Sequence, residues 1–150
     1  MRRLVFALCL VFAAASCGPP PAPLEVEDAW TRDTVGNTAS AAVFMTISSP
    51  TPDRLIAASA PVARQTDLMT MEAEGGTMAM AYLEAIDIPA GETVSLDPQG
   101  LHVWLANLNR PLVAGQTFPL TLEFEHAGER QVTVSIIAPA AAPPMSGMGM

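Results

Sequence analysis

The sequence of 150 residues contains no lysine, only two histidines and two cysteines, and 5% aromatic residues. Its seven arginines are outnumbered by fifteen Asp and Glu residues, which gives a net charge of −8. A chain so acidic and free of lysine argues against binding to nucleic acid or to an anionic membrane surface. The same charge is compatible with cationic ligands or basic partners.

Several catalytic patterns are also missing. The sequence holds no H-E-x-x-H, no C-x-x-C and no G-x-S-x-G motif. His126 in the turn "EHAGE" is interpreted as an exposed polar residue rather than a ligand; the alternative is that it adds to a second, weaker site. We therefore expect a binding protein and not an enzyme.

The N-terminus indicates export. Two arginines are followed by an apolar run over residues 4–15, which is too short to span a bilayer as a stable helix. The run ends in "AAASC", which resembles the lipobox of bacterial lipoproteins, so that Cys17 becomes the lipidated first residue of the mature protein. The alternative is an ordinary secretory signal cleaved nearby. Lipidation is favoured because Cys17 would otherwise be an unpaired thiol in an oxidising compartment.

These signals divide the chain into four parts. We predict a lipoprotein signal peptide over residues 1–16, a lipidated cysteine and Pro-rich tether over 17–23, one domain over 24–137 and a flexible Met-rich tail over 138–150. The mature chain retains five arginines against fifteen acidic residues, a net charge of −10. Because Gly18 rather than Asp follows the cysteine, we expect a periplasm-facing protein anchored in the outer membrane.

The domain reads as strands throughout. Alternation with a period of two is clearest in "TFPLTLEFE", residues 117–125, where every second side chain is a large apolar one. Many short strands, separated by turns such as "EGG", "IPAGE" and "DPQG", predict an all-β domain, a β-sandwich with antiparallel, Greek-key pairing. The predicted strands are 24–30, 41–48, 54–59, 66–71, 77–84, 93–96, 101–105, 117–125 and 131–137.

One predicted hairpin, "LMTMEAEGGTMAM", carries four of the nine methionines, at positions 69, 71, 78 and 80. With Glu74 and Gly75 as the central turn residues, Met71 would face Met78 and Met69 would face Met80. All four side chains would then share one face of the hairpin. Methionine is also a good filler of irregular cores, so packing and ligand binding remain open at this point.

The stretch "GLHVWLANL", residues 100–108, favours ligand binding. His102 and Trp104 share one face of this strand, and Leu101, Val103 and Leu105 share the apolar face. His102 and Trp104 must then point outward or toward the methionines. Thioethers together with an imidazole, and without a thiolate, suit Cu(I) better than Zn(II).

At these residues the sequence resembles the periplasmic copper chaperone family PCu(A)C, which supplies Cu(I) toward the CuA centre of cytochrome c oxidase. That family carries a His or Met, ten residues, a Met, twenty-one residues, and then His-x-Met. Met69, Met80 and His102 have this spacing. The resemblance extends through "VEDAWTR", "AAVFMTI", "EAIDIPAGETVSLDP" and "LNRPLVAGQTFPLTLEFEHAG". It implies a cupredoxin-like Greek-key sandwich with Met69, Met80 and His102 as metal ligands.

The chain departs from the family where Trp104 replaces the final methionine. Three outcomes are open: Trp104 lies over the Cu(I) as a cation–π partner and shield, Met71 or Met78 replaces the lost ligand, or the site has degraded. We favour the first two together.

The tail adds Met145, Met148 and Met150, which we interpret as a mobile thioether arm that loads copper or covers the site; the alternative is an end of no consequence. The leading hypothesis is a monomeric, lipid-tethered Cu(I) carrier. It would pass its metal to a cytochrome c oxidase subunit or another copper chaperone. The alternative is an envelope interaction module whose methionine face docks a protein.

Overall fold

The computed structural model describes residues 23–144, and every regular element in this part of the chain is a β-strand. Ten strands follow one another along the chain. They are β1 Glu25–Arg32, β2 Ser40–Ser48, β3 Asp53–Ser59, β4 Ala63–Glu74, β5 Thr77–Leu83, β6 Ile86–Ile88, β7 Thr93–Leu96, β8 His102–Leu108, β9 Thr117–Phe124 and β10 Gly128–Ile137.

The strands form one continuous hydrogen-bonded sheet in the order β5-β4-β8-β2-β1-β10-β9-β3-β6, with β7 paired to β2. Neighbours in this order are antiparallel, except that β1 and β10 run parallel. The sheet folds over, because inward-facing residues of β2 and β8 and those of β9 and β10 belong to one core cluster. This is the predicted cupredoxin-like β-sandwich in a single domain.

Alternation along the strands builds that core. In β9, the residues Phe118, Leu120, Leu122 and Phe124 are buried and their neighbours face outward, as the sequence pattern predicts. In β8, Val103 and Leu105 are fully buried on the core side. His102 and Trp104 consequently lie on the outer face of the sheet.

No strand is predicted over β6, Ile86–Ile88, because it has only three residues and ends in the first residue of the turn "IPAGE". It pairs with β3 and buries Ile86 and Ile88. The parallel pairing of β1 with β10 also differs from the purely antiparallel expectation. Both pairings join segments that are far apart along the chain, so no local pattern reports them.

The predicted register of the methionine hairpin is wrong. The central turn residues are Gly75 and Gly76, since Glu74 pairs with Thr77, and both glycines have positive φ, 59° and 84°. A tight turn of this kind needs φ > 0 at both central positions, which glycine adopts without steric cost. The predicted turn would have put Glu74 in that conformation.

The corrected register keeps the methionines on one face but changes their partners. Met71 lies directly opposite Met80, Met69 opposite Tyr82, and Met78 opposite Ala73. Two thioethers that were not expected to meet are therefore neighbours across the hairpin.

Four predicted features lie outside the described residues: the signal peptide over 1–16, Cys17, nearly all of the tether, and the tail methionines Met145, Met148 and Met150. None of the described residues belongs to a helix with the length and apolarity of a membrane span. After β10, Arg32 Nη1 donates hydrogen bonds to the carbonyl oxygens of Pro139 at 2.5 Å and Ala141 at 3.3 Å.

Candidate metal centre

Met69 and His102 form the centre of the candidate site. They lie directly opposite each other on the paired strands β4 and β8, and each is only 3% exposed. Directly opposed residues of an antiparallel pair have Cβ atoms about 4.5–5.5 Å apart, so the thioether and the imidazole are side by side. The site therefore begins with one sulfur and one nitrogen donor in a sheltered position.

The imidazole is held in one tautomer. His102 Nδ1 lies 3.0 Å from the carbonyl oxygen of Gly100, and this oxygen also accepts a hydrogen bond from the Met71 N–H at 3.2 Å. Because a carbonyl oxygen can only accept, Nδ1 carries the proton, and the lone pair of the neutral ring is on Nε2. This is the usual way in which a protein orients a metal-binding histidine.

The other candidate residues lie on opposite sides of the Met69–His102 pair. On one side, Met71 faces Met80 across the hairpin. On the other side, Trp104 faces Asp67, and its ring meets the imidazole edge-on, with centroids 6.2 Å apart and planes at 72°. Trp104 thus adjoins His102, whereas Met71 and Met80 add two sulfur atoms to the first two donors.

Two aromatic residues that sequence reasoning missed, Phe44 and Trp30, pack in a row beside His102. The Phe44 ring lies 6.3 Å from the imidazole, and Trp30 packs on Phe44 at 4.7 Å. The guanidinium of Arg32 sits 5.2 Å from the centre of the Trp30 ring. Trp30 and Phe44 are buried but do not belong to the main core cluster. Their position out of phase with the core residues of β1 and β2 was the available signal.

The methionine face opens toward the strand β5. Met78 and Met80 are 55% and 47% exposed, and Tyr82 is 71% exposed. The described residues contain no group of three or more His, Cys, Asp and Glu side chains arranged for a metal ion. The thioethers and the imidazole on this face form a donor set suited to soft Cu(I), and one carboxylate, that of Asp67, lies on the same face opposite Trp104.

His126 is not part of this face. It lies in the turn between β9 and β10, its side chain is 70% exposed, and its Nδ1 is 3.4 Å from the carboxylate of Asp53. The interpretation of His126 as an exposed turn residue is confirmed.

The amino-acid sequence is similar to those of lipoproteins. The profile of the LpqE-like lipoprotein family matches residues 24–136, which is nearly the whole described domain. A candidate lipoprotein of Leifsonia xyli subsp. xyli, Lxx21020, is 43% identical over 49 residues. That match covers 33% of this chain and 30% of the relative, so the chain matches less than a third of the relative's length.

Two solved structures with the same fold are copper-bound forms. The copper-bound PCuAC domain from PmoF2 is 25% identical, with a TM-score of 0.65, and the match covers 81% of this chain and 97% of that domain. The Cu(I) form of DR1885 from Deinococcus radiodurans is 27% identical, with a TM-score of 0.61 and 85% coverage of both chains. The chain therefore belongs to the LpqE-like lipoprotein family, and its domain has the fold of the PCuAC copper-binding domains.

Proposed function

We propose that this protein is an envelope copper chaperone that carries Cu(I) as cargo on the outer face of β4, β5 and β8. The observation that carries the proposal is the position of the Met71–Met80 pair immediately beside the Met69–His102 pair. Three thioethers and one imidazole thus occupy neighbouring positions on one sheet face, without any thiolate among them. Such donors favour Cu(I) and do not lose their binding capacity through disulfide formation.

Met71 takes over the role of the missing final methionine of the family pattern. Met80 is the nearest cross-strand neighbour of Met71, whereas Met78 lies one pair further along, opposite Ala73. Trp104 then acts as a wall beside His102, where its ring excludes water and favours a cation. The relatives described as copper-bound support copper as the cargo.

The remaining parts of the chain fit delivery in the cell envelope. Cys17 is the proposed lipid attachment site after removal of residues 1–16, and the Pro-rich segment spaces the domain from the membrane. The partner is a copper-receiving protein, such as a cytochrome c oxidase subunit or another copper carrier. The tail methionines Met145, Met148 and Met150 provide an auxiliary thioether arm.

The test is a Cu(I) titration of residues 17–150 with Cys17→Ser, which removes the only thiol of that segment. A chromogenic Cu(I) chelator competes for the metal. We expect one tightly bound equivalent, and a loss of affinity of at least about tenfold in Met71→Leu and in His102→Phe, the lower end of what disturbing a metal site costs.

Met45→Leu is the matched control, because Met45 is buried in the core on the opposite face of the sheet and a Leu–Met exchange usually preserves packing. It should bind copper like the parent protein. If the parent does not compete with the chelator, copper carriage is ruled out. The exposed Met78, Met80 and Tyr82 would then favour a protein-docking module.

A further inference from the structure

The methionine face consists of Met69 and Met71 on β4 and Met78 and Met80 on β5. The exposure of these thioethers falls from β5 toward β8. Met78 and Met80 on β5 are about half exposed, Met71 on β4 is partly buried, and Met69 with His102 is almost fully buried. A partner protein can therefore touch the outer sulfurs but not the inner donors. Ligand exchange needs direct access to the metal, so the route of exchange is restricted.

The order of the strands makes this series continuous. Met78 and Met80 are two residues apart on β5, about 7 Å along the strand, and Met80 lies opposite Met71. Met71 is in turn two residues from Met69 on the same face of β4. Each flexible thioether thus has another within reach, from the free edge of the sheet to His102.

An incoming ligand cannot reach His102 from the side of the sheet away from β5. Trp104 and Phe44 flank the imidazole, and Trp30 covers Phe44. Among residues 23–144 the β5 side is open, because β5 is the terminal strand of the sheet order and Met78 faces the small side chain of Ala73 across the hairpin. An incoming ligand meets Met78 and Met80 first.

We infer that Met78 is an exchange ligand: it binds Cu(I) transiently at the β5 edge while the ion passes between a partner's soft ligand and the Met69–Met71–Met80–His102 set. This inference rests on the proposed copper-carrier function. In loading, a Cu–S bond to Met78 forms as a bond to the partner's ligand breaks, and Met80 and the buried donors then replace Met78. The ion remains Cu(I), and no proton is released because a thioether carries none.

The kinetic consequence separates an exchange ligand from a resting ligand. In Met78→Leu the apolar bulk is kept and the sulfur is removed at an exposed position. We expect the equilibrium affinity for Cu(I) to stay within about twofold of the parent. Removal of Cu(I) by bicinchoninate, followed by stopped-flow absorbance, should slow by about tenfold, equivalent to a barrier increase of about 1.4 kcal/mol.

Tyr82→Phe is the control for a substitution on this strand, since Tyr82 is exposed on the same face of β5, carries no sulfur and keeps its ring opposite Met69 in the variant. Its rate and affinity should match the parent. An unchanged rate in Met78→Leu overturns the inference. A loss of affinity equal to that of Met71→Leu also overturns it, because Met78 would then be a resting ligand. Failure of the parent to bind copper would instead refute the carrier function itself.

Discussion

Trp104 is the residue at which this chain departs most clearly from the copper chaperone pattern. Its ring meets His102 edge-on at 6.2 Å, so it is a neighbour of the proposed cargo without supplying a sulfur. A bound cation beside an indole changes its fluorescence and gains a modest electrostatic attraction. The residue is therefore better suited to shield and report on copper than to hold it.

This assignment predicts separate effects of Trp104→Phe on signal and on binding. Cu(I) should quench the fluorescence of the parent protein, and the quenching should largely disappear in the variant. The affinity should fall by no more than about fivefold, since an exposed cation–π contact contributes about 1 kcal/mol or less. The measurement is a fluorescence titration alongside chelator competition.

The chain has one other tryptophan, Trp30, which packs on Phe44 and not on His102. Trp30→Phe is thus the control, and it should retain the quenching. A fall in affinity of a hundredfold or more in Trp104→Phe would contradict the assignment, because the indole would then be a principal part of the metal site.

At this scale the sequence selects the proposed donors, which stay a prediction as metal ligands, and misses the residues around them. The spacing of Met69, Met80 and His102 selects these residues through family resemblance, and alternation in β8 puts His102 and Trp104 on one face. The partnership of Met71 with Met80 could not be predicted, because it depends on the register of the hairpin. Phe44 is out of phase with the core residues of β2, but its contact with His102 joins strands distant in sequence and could not be predicted.

The register itself is a property of the element, and two glycines determine it. Gly75 and Gly76 both have positive φ, and nothing lies within 4 Å of a Cβ built on either, so conformation and not space is what restricts them. The alternation of methionines is the same in either register, so it could not discriminate between them. Only the turn chemistry separates Met71–Met80 from Met71–Met78.

The two central residues of the turn should tolerate substitution differently. Gly76→Ala should destabilise the protein by about 1–2 kcal/mol, the cost of a left-handed conformation for a residue with a Cβ. Gly75→Asn should be nearly neutral, because Asn-Gly is a preferred pair in this type of turn. Urea unfolding of both variants measures the difference. Equal stability of Gly76→Ala and the parent would instead support the Glu74–Gly75 turn.

Strand pairing shows what local patterns can and cannot determine. Period-two alternation correctly predicts β9, and turn signals correctly separate most strands. Alternation does not predict the parallel pairing of β1 with β10, in which Trp30 pairs with Ser135. Nor does it reveal β6, whose three residues are recognisable as a strand only once β3 lies beside them.

On the scale of the whole molecule, the candidate metal site and the buried side chain of Asp53 lie in different parts of the sheet. The metal site occupies β5, β4 and β8, whereas Asp53 begins β3 near the other end of the strand order. The buried carboxylate of Asp53 accepts backbone N–H hydrogen bonds from Arg54, His126 and Ala127 at 2.8–2.9 Å. It therefore joins β3 to the β9–β10 turn.

These contacts determine how Asp53 responds to acid. Burial alone raises its pKa, but the backbone hydrogen bonds from His126, Arg54 and Ala127, together with the His126 side chain, outweigh that effect and hold the pKa below its ordinary value of 3.8. A carboxyl group with a lowered pKa in the folded state stabilises the fold at pH values above its ordinary pKa. That contribution is lost as the pH falls through the lowered pKa of the folded state.

Asp53→Asn should therefore lower the free energy of unfolding by about 2 kcal/mol at neutral pH, since an amide cannot accept all three backbone hydrogen bonds. The difference from the parent should shrink as the pH falls from 3.8, where the carboxylate of the unfolded parent is protonated, through the lowered pKa at which the folded parent loses it too. Asp87→Asn is the matched control, because Asp87 is exposed and pairs with Arg54 only at the surface, a contact that contributes little. Urea unfolding across the acid range measures both variants.

Because Asp53 and the methionine face share no hydrogen bond or strand pairing among the described residues, Cu(I) affinity at neutral pH should be the same in Asp53→Asn and the parent. A parallel loss of affinity would mean that the two ends of the sheet are coupled.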